Sequence, residues 1–175
     1  MILDAGHGGT TDPGAVYQGR QEKNDNLRMA LAVGQILSED GVDVGYTRVQ
    51  DVYQSPLQKA QMANNWEADY FVSFHRNAMP VPGTASGTES LIFSRGGEAE
   101  QLASNINAEL GQAGWNDLGT TERPGLIVLR KTEMPAVLVE VGFLDNPEDN
   151  QRFDAQFEHT ARAIADGILN TLRSP

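Results

Sequence analysis

The chain has 175 residues, of which 39% are hydrophobic, and this is enough to build one domain with a single buried core. Its formal net charge of −11 argues against a nucleic acid as ligand, because the phosphates would be repelled. The absence of cysteine excludes disulfides and thiolate zinc sites, so a bound metal must use His, Asp or Glu.

Apolar runs alternate with amphipathic stretches along the whole chain, a pattern typical of an α/β domain built around a sheet. We predict strands at residues 1–4, 42–47, 70–74, 88–93, 127–129 and 136–141. Helical spacing of apolar residues predicts helices at 24–39 and 102–110, and a last one after Asn146 and Pro147. A capping serine, Ser55, with a proline next and Gln58 three residues on, predicts another helix that reaches about Asn65. The polar stretch 111–125 is predicted to be a loop.

Nothing in the sequence predicts a membrane span, because no apolar run reaches the roughly 18 to 20 residues that a bilayer requires. The first residues read as a strand and lack the pattern of a signal peptide. We therefore expect a soluble monomer, with any export signal or neighbouring domain outside this chain.

Two of the three histidines stand at the ends of predicted strands, His7 after the first and His75 after the run at 70–74. In open α/β sheets, ligands collect outside the carboxyl ends of the strands, so these two imidazoles could share a metal ion. Each could instead be an ordinary loop histidine. His159 lies within the last amphipathic helix, where a structural or solvated role is expected.

A third metal ligand should be a carboxylate, and Asp4, Asp12 and Glu22 all lie near His7 in the sequence. The residues alone do not choose among them, since Glu22 next to the first helix could simply complement the helix dipole. Glu140 ends an apolar run. It is either a salt-bridged rim residue or, if it faces a metal, a group that carries protons.

Four sequence blocks in this chain, covering nearly its whole length, resemble the zinc-dependent N-acetylmuramoyl-L-alanine amidases of the amidase-3 type. They are residues 2–9, Glu22-Lys23 with Asn26-Leu27, residues 73–78 and residues 135–144. The resemblance implies one catalytic domain over residues 1–175. It also implies a twisted, mostly parallel sheet of about six strands flanked by helices.

By the same resemblance, His7, Glu22 and His75 would bind Zn²⁺ and Glu140 would be the catalytic glutamate. The implied reaction hydrolyses the amide between the lactyl group of N-acetylmuramic acid and L-alanine of the peptidoglycan stem peptide, without an organic cofactor. The expected location is extracellular or in the cell wall, with wall attachment through a separate binding module. A host autolysin, a sporulation enzyme and a phage endolysin all remain open.

Competing hypotheses are a zinc peptidase that cuts within the stem peptide, a deacetylase, and a wall-binding domain without activity. Because metal binding needs neutral imidazoles, we expect activity to fall below about pH 6 and to disappear on chelation.

The two residues that follow His75, Arg76 and Asn77, are predicted substrate contacts. Arg76, where the family more often has a small residue, could pair with a stem-peptide carboxylate, or it could be a surface arginine. Asn77 follows it. Residues 79–87 are too few for the helical insertion that occludes the zinc in some family members, so we predict an open site that needs no activator.

Overall fold

The computed structural model describes residues 1–173, which form an α/β domain with a six-stranded sheet. The sheet strands are β1 (Ile2–Ala5), β4 (Gly45–Tyr46), β5 (Phe71–Asn77), β6 (Thr88–Ile92), β7 (Asp117–Glu122) and β8 (Ala136–Phe143); β2 (Val16–Tyr17) and β3 (Arg20–Gln21) form a small hairpin. The helices are α1 (Glu22–Glu39), α2 (Pro56–Asn65), α3 (Glu98–Gln112), α4 (Ile127–Arg130), α5 (Pro147–Ala155) and α6 (Phe157–Leu172).

The strand order is β4-β1-β5-β8-β6-β7. Neighbouring strands from β4 to β8 are parallel, β6 runs antiparallel to β8, and β7 is parallel to β6. The predicted mostly parallel sheet of about six strands is therefore confirmed. Because β1, β5 and β8 are parallel neighbours, their carboxyl ends meet at one edge of the sheet.

Helices cover both faces of the sheet. The larger core lies between the sheet and α1, α3 and α6, and the fully buried Leu3, Phe74 and Ile106 belong to it. A smaller core under α2 and α4 includes Phe71 and Leu138. Within residues 1–173, no helix is long and apolar enough to cross a membrane.

Two predicted elements were wrong. The stretch 111–125, predicted as a loop, contains the edge strand β7, whose mainly polar residues are exposed or half-buried and therefore lack an apolar signature. Residues 127–129, predicted as a strand, form the short helix α4 instead. A run of three apolar residues is too short for periodicity to distinguish the two states.

Several boundaries also differ from the prediction. The expected strand at 42–47 reduces to β4, and the last helix is divided into α5 and α6 at Gln156. The start of α2 is as predicted: the hydroxyl of Ser55 accepts from the backbone N–H of Gln58, whose side chain accepts from the N–H of Ser55.

A candidate metal centre at the strand ends

The loop after β1 carries His7 into the site in a left-handed backbone conformation, with φ of 60°. Two glycines allow the close packing around it. A Cβ on Gly6 would lie 2.3 Å from the His75 ring, and one on Gly14 would lie 2.5 Å from Glu22 Oε2. The site is therefore built with side chains resting directly on glycine backbone.

The three predicted metal ligands, His7, Glu22 and His75, come together at this edge of the sheet. We call them the metal trio. His7 Nε2 lies 3.3 Å from Glu22 Oε2, and His75 Nδ1 lies 2.9 Å from Glu22 Oε1. One potential ligand atom from each residue falls within 4.8 Å of the others. The loop after β1 and strand β5 supply the two histidines, and the first residue of α1 supplies the glutamate.

Glu22 is the first residue of α1, but its carboxylate does not cap that helix. It turns into the site, where Oε2 accepts from the backbone N–H of Ala15 at 2.8 Å and Oε1 accepts from that of Arg76 at 3.1 Å. Although burial raises the pKa of the Glu22 carboxyl, hydrogen bonds with His7 and His75 hold it well below its usual range. Glu22 is therefore a fixed anion between two imidazoles.

Asp12, an open alternative for the metal ligand, lies behind His7 instead. Its Oδ1 is 2.7 Å from His7 Nδ1 and also accepts from the N–H of Gly14. A carboxylate at Nδ1 fixes the tautomer and leaves Nε2 free to face Glu22. Burial lowers the pKa of His7, but its hydrogen bonds with Glu22 and Asp12 outweigh this and raise it to about 9.

The donor set fits a divalent transition metal. Two imidazoles and one carboxylate are a typical protein ligand set for zinc, with one position left for water. Glu22 places a negative charge between two imidazole rings whose centroids are 5.0 Å apart. A cation bound among the three side chains would neutralise that charge. We conclude that His7, Glu22 and His75 can hold a metal ion.

Glu140 lies in β8 directly opposite His75 of β5, so it reaches the same edge. Its Oε2 is buried and makes no hydrogen bond to any residue in the range 1–173. Burial raises the pKa of Glu140 to about 7, so this carboxyl can both gain and lose a proton near neutral pH. Glu140 forms no salt bridge within residues 1–173, which argues against the alternative of a rim salt bridge.

Asp4, the remaining candidate ligand, belongs to a separate buried cluster. Its Oδ1 accepts from Lys59 Nζ at 2.7 Å and from Thr47 at 2.6 Å, and its Oδ2 accepts from Ser73. Burial raises the pKa of Asp4, but Lys59 and the hydroxyl donors together lower it below its ordinary value. Sequence reasoning missed Lys59, because one lysine in an amphipathic helix gives no sign of a buried partner.

The prediction that Arg76 contacts substrate was wrong, and so was the alternative of a surface arginine. The residue is 2% exposed, and its guanidinium donates to Asp25 at 2.6 Å and to Asn150 at 2.7 Å while covering the ring of Phe153. Alternation along β5 turns its side chain away from that of His75. For Asn77, which is half-buried at the end of β5, the substrate role stays a prediction.

Access to the site is open in the described part of the chain. The segment between β5 and β6 contains no helix, as predicted, and the His7 side chain keeps 28% of its exposure. His159 lies on the exposed surface of α6, outside the metal trio, in agreement with the solvated role expected for it.

Comparison with known proteins agrees with this arrangement. A family model described as N-acetylmuramoyl-L-alanine amidase matches residues 1–170. The sporulation-specific N-acetylmuramoyl-L-alanine amidase of Bacillus subtilis is 37% identical over 174 residues, covering 96% of this chain and 66% of the relative. An endolysin of Bacillus phage SPP1 is 36% identical, covering 97% of this chain and 65% of the relative.

Among solved structures, an N-acetylmuramoyl-L-alanine amidase from Clostridium difficile 630 superposes with a TM-score of 0.93 at 33% identity, covering 99% of this chain and 96% of that one. The chain thus spans about two thirds of the curated relatives above, and nearly all of this crystallised one. On the extent of the family match and the identity to these relatives, the chain belongs to the amidase-3 family of N-acetylmuramoyl-L-alanine amidases.

Proposed function

We propose that this chain is a zinc-dependent N-acetylmuramoyl-L-alanine amidase acting on peptidoglycan at or outside the cell surface. The observation that carries the proposal is the joint placement of His7, Glu22 and His75 with a separate carboxylate, Glu140. A metal-binding role alone would not need a second, unpaired glutamate beside the ligands. Family membership supplies the bond that is cut.

Zinc bound at this trio would supply a Lewis acid for the scissile carbonyl and would lower the pKa of the attacking water. Glu140 would accept a proton from the attacking water and donate it to the nitrogen of L-alanine as the C–N bond of the amide breaks. In the metal-free protein, burial raises the pKa of Glu140 to about 7, which favours a group that both accepts and releases a proton. Asp12 holds His7 by Nδ1 throughout, so the ring keeps its orientation.

Three further expectations accompany the proposal. The isolated chain should be active without an activator, since the segment between β5 and β6 forms no covering helix. It should bind purified wall weakly at physiological salt, since a net charge of −11 favours no anionic surface. It should also be a monomer.

The test is mass spectrometry of the products from purified peptidoglycan. We expect intact stem peptides with a new L-alanine amino terminus, no new reducing sugar ends, loss of cleavage with a chelator and recovery on adding Zn²⁺. Cleavage inside the stem peptide would establish the peptidase alternative, and release of acetate would establish a deacetylase. Chelator-resistant cleavage would refute the zinc requirement.

A further inference from the structure

A cavity of about 350 Å³ opens beside the metal trio and is shared with α2 and α4. Its lining includes His7 and His75 and four further polar residues, Asp4, Asp12, Gln54 and Lys59. The apolar lining residues are Pro56, Leu126, Ile127, Val128 and Leu138. Apolar cavities of this size with a few polar groups are typical of small-ligand sites. Whatever part of the substrate enters here lies directly next to the scissile bond.

The basic side chains of this acidic protein are nearly all occupied. Of the 13 lysines and arginines, most pair with carboxylates, Arg48 donates to backbone carbonyls, and Arg28 and Arg152 cover aromatic rings. Within residues 1–173, Arg123, Arg130 and Lys131 have neither a carboxylate nor an aromatic partner. We call these three residues the free basic group.

The free basic group brackets in sequence the segment that lines the cavity at Gly125–Val128. Arg130, the last residue of α4, and Lys131, which follows it in a helical conformation, stand three and four positions after Ile127, the spacing that places helical residues on one face. Arg123 stands two residues before Gly125, which also lines the cavity. All three are exposed. Cations left unpaired in a chain with 24 acidic residues are available for an anion from outside.

We propose that the free basic group binds carboxylates of the stem peptide, so that the peptide side of the scissile amide lies along α4. This inference rests on the proposed amidase function and adds the direction in which the substrate lies. Stem peptides carry carboxylates beyond L-alanine, whereas the sugars of the glycan strand present mainly hydroxyl and amide groups. Ion-paired hydrogen bonds to arginine recognise carboxylates by charge and by shape.

The cavity wall supports the same direction. Its apolar residues suit the methyl group and aliphatic chains of the first stem-peptide residues better than a sugar ring covered with hydroxyls, which would lose hydrogen bonds to water there. With the peptide along α4, the lactyl group and the glycan strand extend away from α4.

The experiment measures KM and kcat, with Zn²⁺ supplied, on three muramyl tripeptides. One has free carboxylates, one is amidated only at the terminal carboxyl, and one is amidated at every carboxyl. For wild type, we expect KM to rise at least about fivefold with full amidation while kcat changes little, since charged hydrogen bonds to the peptide are lost from binding. The partly amidated substrate identifies which carboxylate is read.

The variants are Arg130→Gln and the triple change Arg123→Gln, Arg130→Gln and Lys131→Gln, with Arg162→Gln as a control that removes one remote positive charge. On the free-carboxylate substrate the triple variant should reproduce the rise in KM, and on the fully amidated substrate it should match wild type. Since the three residues are exposed, the melting temperature should stay within a few degrees of wild type.

Two results overturn the inference. If wild type cleaves free and fully amidated substrates with equal KM, or if the triple variant equals wild type on the free-carboxylate substrate, the free basic group does not read the stem peptide, although the amidase function stands. If wild type with zinc cleaves none of the three at the lactyl amide, the proposed function fails and this inference fails with it.

Discussion

Two glutamates at the same sheet edge have opposite surroundings. Glu22 accepts hydrogen bonds from two backbone N–H groups, contacts both histidines, and has its pKa held below the usual range. Glu140 has a buried oxygen with no partner in the described chain, and its pKa is raised to about 7. Identical side chains are thus divided into a permanent anion and a group that can exchange a proton.

This division fits the two functions that we propose for the two glutamates. A carboxylate surrounded by donors stays ionised and suits a metal ligand, while one desolvated and left unpaired suits acid–base transfer at neutral pH. The difference lies in the neighbours, because burial acts on both and only Glu22 receives compensating hydrogen bonds. Because the neighbours determine the two roles, a substitution of either glutamate alone should not exchange them.

The largest expected effect comes from Glu140→Gln. Removing a general acid–base group should lower kcat by about 10² to 10⁴ while zinc affinity stays close to wild type. Glu22→Gln should instead weaken zinc binding, because it removes the anionic ligand. Zinc titration by calorimetry beside kinetics on muropeptide measures both. Loss of zinc binding by Glu140→Gln would mean that the two glutamates share the ligand role.

Asp4→Asn should affect stability instead of the metal. Asp4 is as well hydrogen-bonded as Glu22, but it neutralises the buried Lys59. Leaving that ammonium unpaired should cost about 3–5 kcal/mol in the free energy of unfolding, measured in urea. Asp43→Asn, at an exposed aspartate, is the control and should change little.

The sign of the pH dependence follows from the lowered pKa of Asp4. Its contribution is present above the unfolded pKa, near 3.8, and is lost as pH falls through the still lower pKa of the folded state. Wild type should therefore lose stability in that acid window, and Asp4→Asn should show a shallower loss. If the free energy of unfolding of both proteins falls equally with pH in this range, Asp4 is not the group responsible.

Asp12→Ala should have a smaller effect, confined to the metal. Without a carboxylate at Nδ1, the His7 ring can choose the wrong tautomer or rotate, and loss of such an outer partner typically weakens metal binding about 10- to 100-fold. Asp12→Asn keeps an oxygen acceptor and should recover much of the affinity. Equal zinc affinity for both variants and wild type would show that Asp12 does not position His7.

The sheet and its edge were predictable because they depend on long apolar strands. The runs at 70–74 and 136–141 are buried on both faces, so their sequence pattern is strong and their parallel pairing places His75 and Glu140 opposite each other. The edge strand β7 and the short helix α4 were missed. Exposed polar strands and single helical turns carry little periodic signal.

Within the site, position along the chain predicted which residues approach it but not which way each side chain turns. The residues alone did not choose among Asp4, Asp12 and Glu22; the family resemblance indicated Glu22, and the contacts with Lys59 and His7 account for the roles of the other two. Arg76 is the clearest failure. Its neighbour His75 belongs to the metal trio. The alternation of side chains along the strand turns the Arg76 guanidinium the other way, into the core toward Asp25.

The smallest expected effect tests whether Glu140 is held at a cost. Glu89 of β6 lies directly opposite Glu140 in the antiparallel pair, and its Oε1 accepts from Thr121 Oγ1. Like charges placed opposite each other destabilise a sheet. Glu89→Gln keeps an acceptor for Thr121 and should stabilise the metal-free protein by about 0.2–1 kcal/mol at pH 8.

The gain should disappear at pH 5, because Glu140, with a pKa of about 7, is then protonated in the folded state and repels nothing. Urea unfolding of metal-free protein at the two pH values measures the difference, with Glu133→Gln as the control at an exposed glutamate. A gain of equal size at both pH values would come from Glu89 alone. A gain confined to pH 8 means that the unpaired state of Glu140 is maintained against its surroundings, as a proton carrier requires and a metal ligand does not.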